Sequence, residues 1–110
     1  MILYFHVAGT TYRVIDGVRR AKATSLVGFT AIPAIVYESQ GTRLGECDLP
    51  LDALLSPRDF IPRKTRADET RWQRAVDGAK VWPPRFPPIS VILGQRGWPL
   101  FDVTFDFGDR

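Results

Sequence analysis

One cysteine, one histidine and one methionine in 110 residues remove several chemistries at the outset. A lone thiol, Cys47, forms no intrachain disulfide and fits a reducing compartment. No cluster of metal-ligand spacing surrounds Cys47 or His6, so the sequence predicts no metal site. Cys47 reads as structural, and His6 as a packed or half-exposed strand residue rather than a base. Long apolar runs are also missing. The most apolar stretch, Leu26 to Tyr37, is interrupted by Gly28, Thr30 and Pro33 and falls short of the about 20 residues a spanning helix needs. The opening MILYFHVAGT carries no basic leader and reads as a strand. These absences predict a cytoplasmic protein with no membrane partner. Nor is there a strong excess of one charge: 15 basic against 12 acidic residues leave a formal +3. That is compatible with a phosphate-bearing partner without demanding one.

What is present is the balance of an ordinary globular domain, 45% hydrophobic and 25% charged. It predicts one core and one domain over residues 1–110. The chain is organised around Thr11 to Tyr37. Tyr12, Val14 and Ile15 form a β-favouring run that stops at Asp16-Gly17, where glycine permits a turn that a side chain resists. A helix follows from Val18, with Gly28 at the position of a left-handed cap. Phe29 to Tyr37 returns to alternating apolar residues, with Pro33 near the strand's start or on a sheet edge. A glycine that opens a helix exposes the first backbone N–H groups, and the helix dipole adds positive charge there. Arg19 and Arg20 bring two guanidinium groups to the same turn. That placement is unfavourable unless an anion sits between them, and phosphate matches the guanidinium fork. The competing reading is two solvated arginines on an ordinary helix.

The rest of the chain is read as support. Ile2 to Val7 predicts a strand, with Ala8-Gly9-Thr10 as a hairpin turn into the next one. Ser39 to Gly45 reads as a polar loop, and Cys47 to Arg63 as a short turn-helix bounded by prolines. Thr65 to Lys80 is an amphipathic helix with Trp72, Ala75, Val76 and Ala79 on its buried stripe, and Thr65 with Asp68 at capping-box spacing. Arg63, Lys64, Arg66, Arg71 and Arg74 form a basic cluster that either guides a phosphate backbone or is a solvated face offset by Asp68, Glu69 and Asp77. Trp82 to Pro88 must be extended, as a rigid connector on the domain or as a proline-rich ligand through Pro84 and Pro87. Ile89 to Leu93 is a strand, Gly94 to Gly97 a turn, and Trp98 to Phe107 a long second strand. Asp102 and Asp106 share one face of that strand, close to the span of a paired-carboxylate or metal site, but with no third ligand they read as a solubilising outer face or edge protection.

The string DGVRRAKA from Asp16 to Ala23, followed by SLVGFTAIPAIVYE from Ser25 to Glu38, resembles the phosphate-binding core of the ParB-like and sulfiredoxin-like superfamily. Members carry a tyrosine-containing strand, a Gly-x-Arg-Arg type loop, a helix ending in a leucine-glycine step and an Ile-Pro-x-x-Val strand. Tyr12, Gly17, Arg19, Arg20, Ala23, Gly28, Ile32, Pro33 and Val36 fall in register with that pattern. The resemblance implies phosphate or nucleotide binding at Asp16, Gly17, Val18, Arg19 and Arg20. Where ParB proteins have glutamate and sulfiredoxins a nucleophilic cysteine, this chain has Val18, which excludes cysteine-based peroxiredoxin repair. Segments that the family places before the turn follow it here, which suggests a circularly permuted or rearranged domain with the first and last hairpins side by side in one sheet.

Together these readings predict an α+β domain: a mixed, mostly antiparallel sheet with two or three helices. The expected function is recognition of a nucleotide or nucleic acid through phosphate, with DNA among the partners. A nucleotide is the one cofactor-like ligand implied, and no catalytic residue is assigned. Hydrolysis would need a group to activate water, for which Asp16 is the nearest candidate and equally a turn-former. The alternative is a protein-interaction or inhibitor module that keeps the scaffold without its ligand.

Overall fold

The computed structural model describes residues 3–56, 66–94 and 103–104. The expected central unit is present: β1 (Tyr12–Asp16), α1 (Val18–Leu26) and β2 (Ala31–Tyr37). Then come β3 (Arg43–Pro50), a 3₁₀ turn (Leu51–Ala53), β4 (Leu54–Ser56), α2 (Arg66–Ala79), β5 (Ile89–Leu93) and β6 (Val103–Thr104). The six strands form one sheet in the order β3-β2-β5-β1-β4-β6. β2 runs antiparallel to β3 and parallel to β5, while β1 runs antiparallel to β5 and parallel to β4. β6 closes the order antiparallel to β4. The described residues therefore form an α+β fold with a mixed sheet and two α-helices.

Register explains where the core sits. Val14 lies opposite Val91, Val91 opposite Val36, and Ile32 opposite Leu49, so these side chains share one face. All of them are buried, together with Tyr12, Leu54 and Ile89. Each large side chain so buried contributes about 1.5–3 kcal/mol. α1 covers this face with Ala21 and, at its edge, Val18. α2 then packs on α1 through small residues, Ala75 and Ala79 against Ala23, with Trp72 and Val76 at the rim. These are the stripe residues that the 3.6-residue period predicts. Small side chains let the two helices approach closely, and that brings their charged flanks together.

Two expectations need correction. Residues 3–7 form no strand of the sheet; only Leu3 makes an isolated bridge, to Glu46 of β3. The segment is extended all the same. Leu3, Phe5 and Val7 point outward and are exposed, while Tyr4 and His6 reach in to Tyr12. It crosses the core face as a strap instead of pairing with β1, whose neighbours are β4 and β5. The first expected hairpin is therefore not formed, although its second strand, β1, does lie beside β5 in the one sheet. The polar loop is present from Ser39 to Thr42 but gives way to β3 at Arg43. The turn-helix expected from Cys47 is replaced by β3, one 3₁₀ turn and β4 as far as Ser56, its remaining residues 57–63 lying outside the described ones. Seven residues of β3 pair with β2, and that ladder outweighs the weak strand propensity of LGECD. Pro33 takes the first of its two expected places: it lies near the start of β2, which sits between β3 and β5 rather than at an edge, and the ladder with β5 begins only at Ala34, one residue past the proline.

Thr65, the Gly94 to Gly97 turn beyond Gly94, and most of the Trp98 to Phe107 strand, Asp102 and Asp106 included, lie outside the described residues. No helix among the described residues is long and apolar enough to cross a membrane.

The strap is anchored by a polar chain. Tyr12 Oη donates to Tyr4 Oη at 3.1 Å, and His6 Nδ1 lies 2.8 Å from Tyr12 Oη. Burial raises the Tyr12 phenol above its ordinary value of 10.0, and the bond to Tyr4 raises it further. The folded state thus holds this proton more tightly than the unfolded chain. The contribution to stability is fully present below pH 10 or so and is lost as pH rises toward the folded-state value. Tyr12→Phe is expected to lower stability at pH 7 by about 1 kcal/mol and to flatten the decline above pH 10. Urea unfolding at pH 7 and pH 10.5 checks it; an equally steep alkaline decline in the variant contradicts the assignment.

Candidate functional site

A one-residue bulge between Val14 and Asp16 ends the regular ladder of β1 and turns the chain toward α1. Gly17 caps α1 in the left-handed region, φ 110° and ψ 24°, and accepts the first helical bond from the Ala21 N–H at 3.0 Å. No side chain caps this end, and no acidic residue lies in the first turn. A β-carbon at Gly17 would approach Ile89 Cβ to 2.7 Å and Arg20 Nη2 to 3.1 Å. Glycine is required on both counts, conformation and space.

Around this turn lies an open cleft of about 380 Å³, lined by Ile15, Asp16, Gly17, Val18, Arg19, Arg20, Arg71 and Ala75. All five residues expected at the phosphate site line it. Arg71 joins them from α2, and this is the one member of the basic cluster that the fold brings to the turn among the described side chains. Arg74 is exposed and does not line the cleft. Arg63 and Lys64 lie outside the described residues, and Arg66 is described for its backbone alone.

Arg20 has a second task that the sequence did not disclose. Its Nη1 donates to the carbonyl oxygens of Pro87, at 2.7 Å, and Pro88, at 3.3 Å. Its Nη2 donates to Asp16 Oδ2 at 3.1 Å. One arm of the guanidinium therefore fixes the proline connector, and the other is countered by a carboxylate at the cleft mouth. The connector is held at a second point by the Arg85 N–H on Gly78 O at 2.9 Å, and Phe86 packs in both core clusters. Trp82 to Pro88 is thus a rigid connector lying on the domain. Proline's missing N–H leaves its carbonyls as the only backbone handles there, which is the signal that a nearby arginine would be recruited.

Other expected groups are placed more simply. Cys47 is half-buried on β3, and its thiol is pushed up first by burial and then by Asp48, which keeps it protonated near neutral pH. Among the described residues, no three His, Cys, Asp or Glu side chains gather as metal ligands. Chemically, the cleft offers helix-terminal amides and three guanidinium groups around one carboxylate. No family model, curated protein or solved structure matches the chain. The functional reading therefore rests on this geometry.

Proposed function

We propose that the chain recognises a phosphate group, on a nucleotide or a nucleic acid, in the cleft at the start of α1. The observation that carries this reading is the convergence of Arg71 from α2 with Arg19 and Arg20 around the uncapped Gly17 turn. Positive side chains gathered at a helix N-terminus repel the dipole and one another, so an anion is the natural complement. Guanidinium groups from two helices reach different oxygens of one tetrahedral phosphate. In this reading the Gly17 and Val18 amides with Arg19, Arg20 and Arg71 hold the phosphate, and the domain is a rearranged relative of the ParB-like and sulfiredoxin-like superfamily. The setting would be the cytoplasm, where nucleotides are abundant. Binding is favoured over hydrolysis, because Val18, at the position where the resembled family carries glutamate or cysteine, brings no acid, base or nucleophile to the turn.

Arg71 is the decisive residue to alter, since it is exposed and lines the cleft from α2, outside the turn itself. Arg71→Ala is expected to weaken binding of a nucleoside triphosphate, or of short DNA, roughly tenfold, with the unfolding temperature unchanged. Calorimetric titration of both proteins reads this directly. If DNA is the partner, affinity should also fall steeply with added salt. Equal binding by the variant would remove the cleft from consideration.

A second reading, a protein-interaction module, draws support from the strap. Leu3, Phe5 and Val7 are 59%, 78% and 62% exposed on one outward line, more apolar surface than a short segment ordinarily leaves in water. Absence of any response to nucleotides or DNA would favour it.

A further inference from the structure

Resting on the phosphate reading, the Asp16–Arg20 pair assigns the cleft an internal competitor. We propose that Asp16 occupies the ligand-facing arm of Arg20 in the empty protein and must yield it when an oxyanion binds, so that this carboxylate sets the affinity of the site. The two arms of Arg20 are unequal. Nη1 is committed to the Pro87 and Pro88 carbonyls, which lie on a connector fixed to the domain. Among the described residues Nη2 meets the Asp16 carboxylate, 3.1 Å away, and both side chains line the cleft. Their exposures differ in the direction the proposal needs. The Asp16 side chain is 75% exposed and the Arg20 side chain 19%. The carboxylate can therefore swing into water at little cost, whereas the guanidinium stays where its other arm is held.

The pair also explains how a site of this kind persists without a ligand. Arg19, Arg20 and Arg71 around one turn repel one another, and a carboxylate beside Arg20 offsets part of that repulsion. The same carboxylate repels an incoming phosphate and holds one of its donors. Removing the charge while keeping the shape should release both effects together. An exposed ion pair of this kind adds little to folding stability, so the substitution should leave the fold intact.

The test uses inorganic pyrophosphate as the probe, titrated calorimetrically into wild type, Asp16→Asn and Asp16→Ala. Asp52→Asn serves as the control, since it removes an equal charge from an exposed residue that does not line the cleft. Both Asp16 variants are expected to bind roughly three- to tenfold tighter than wild type, with Asp52→Asn at the wild-type value. Wild-type binding with Asp16 variants equal or weaker would overturn the competitor role and leave the phosphate reading standing. A gain of the same size in Asp52→Asn would also overturn it, by showing that net charge is responsible. Failure of all four proteins to bind pyrophosphate would overturn the phosphate reading and this inference with it.

Discussion

Alanine at Gly17 is expected to destabilise the protein by about 3–5 kcal/mol. Two costs combine there. The backbone sits at φ 110°, outside the range comfortable for an L side chain, and the new carbon would press on Ile89. Ile89 cannot retreat, because it is fully buried and paired with Ala34 in the middle of the sheet. Gly28 supplies the internal control. It has a similar φ of 100°, but nothing lies within 4 Å of its would-be β-carbon. Gly28→Ala should therefore cost only the conformational strain, about 1 kcal/mol. In thermal unfolding, Gly17→Ala should melt about 15 °C lower than wild type and Gly28→Ala about 5 °C lower. Equal shifts for the two would mean that β5 does not press against the turn as described.

Arg20→Ala is expected to lose both stability and binding, and Arg20→Lys to separate the two. Alanine leaves the Pro87 and Pro88 carbonyls without their charged donor, a loss of about 2 kcal/mol. It also removes one wall of the cleft, so phosphate affinity should fall by at least about tenfold. Lysine keeps the charge, but as a point donor it cannot hold the connector with one arm and face the cleft with another. It should recover part of the affinity or part of the stability, not both in full. Denaturant unfolding and calorimetry on the two variants check this. If lysine restores both, the split of the guanidinium between connector and cleft has no functional weight. The double role also means that a loss of binding in Arg20→Ala alone does not prove contact with the ligand. Arg71→Ala is cleaner for that reason.

The parts of this fold that could be read in advance are those whose signal is local. β1, α1 and β2 follow from a β-favouring run, a glycine turn and a resumed alternation, and α2 from the spacing of Trp72, Ala75, Val76 and Ala79. β5 follows from a short apolar run behind prolines. β3 was hidden because Gly45, Glu46 and Asp48 dilute its alternation, and its strand state comes from pairing with β2. β4 is three residues long, too brief for any period to register. The N-terminal run shows the opposite error. Its composition correctly predicts an extended chain, but composition does not say what that chain lies against, and a buried Tyr12 hydroxyl drew Tyr4 and His6 across the core instead.

The site was half legible for the same reason. Asp16 through Arg20 are consecutive, so their meeting at one turn needed no tertiary knowledge. Arg71 reaches them only because Ala23, Ala75 and Ala79 let α2 settle close on α1, and nothing in the spacing of the basic cluster singled it out from Arg74. The Arg20 grip on Pro87 spans 67 residues and had no sequence signature beyond the prolines themselves.

The claim on which the functional account depends is that the amides opening α1 and the arginines beside them receive an oxyanion. Backbone amide shifts, followed residue by residue as wild-type protein is titrated with inorganic pyrophosphate, test it most directly. The account predicts saturable shifts that are largest at Gly17, Val18, Arg19 and Arg20, with a smaller set around Arg71. Shifts confined to residues elsewhere, or none at these positions up to millimolar probe, would contradict it.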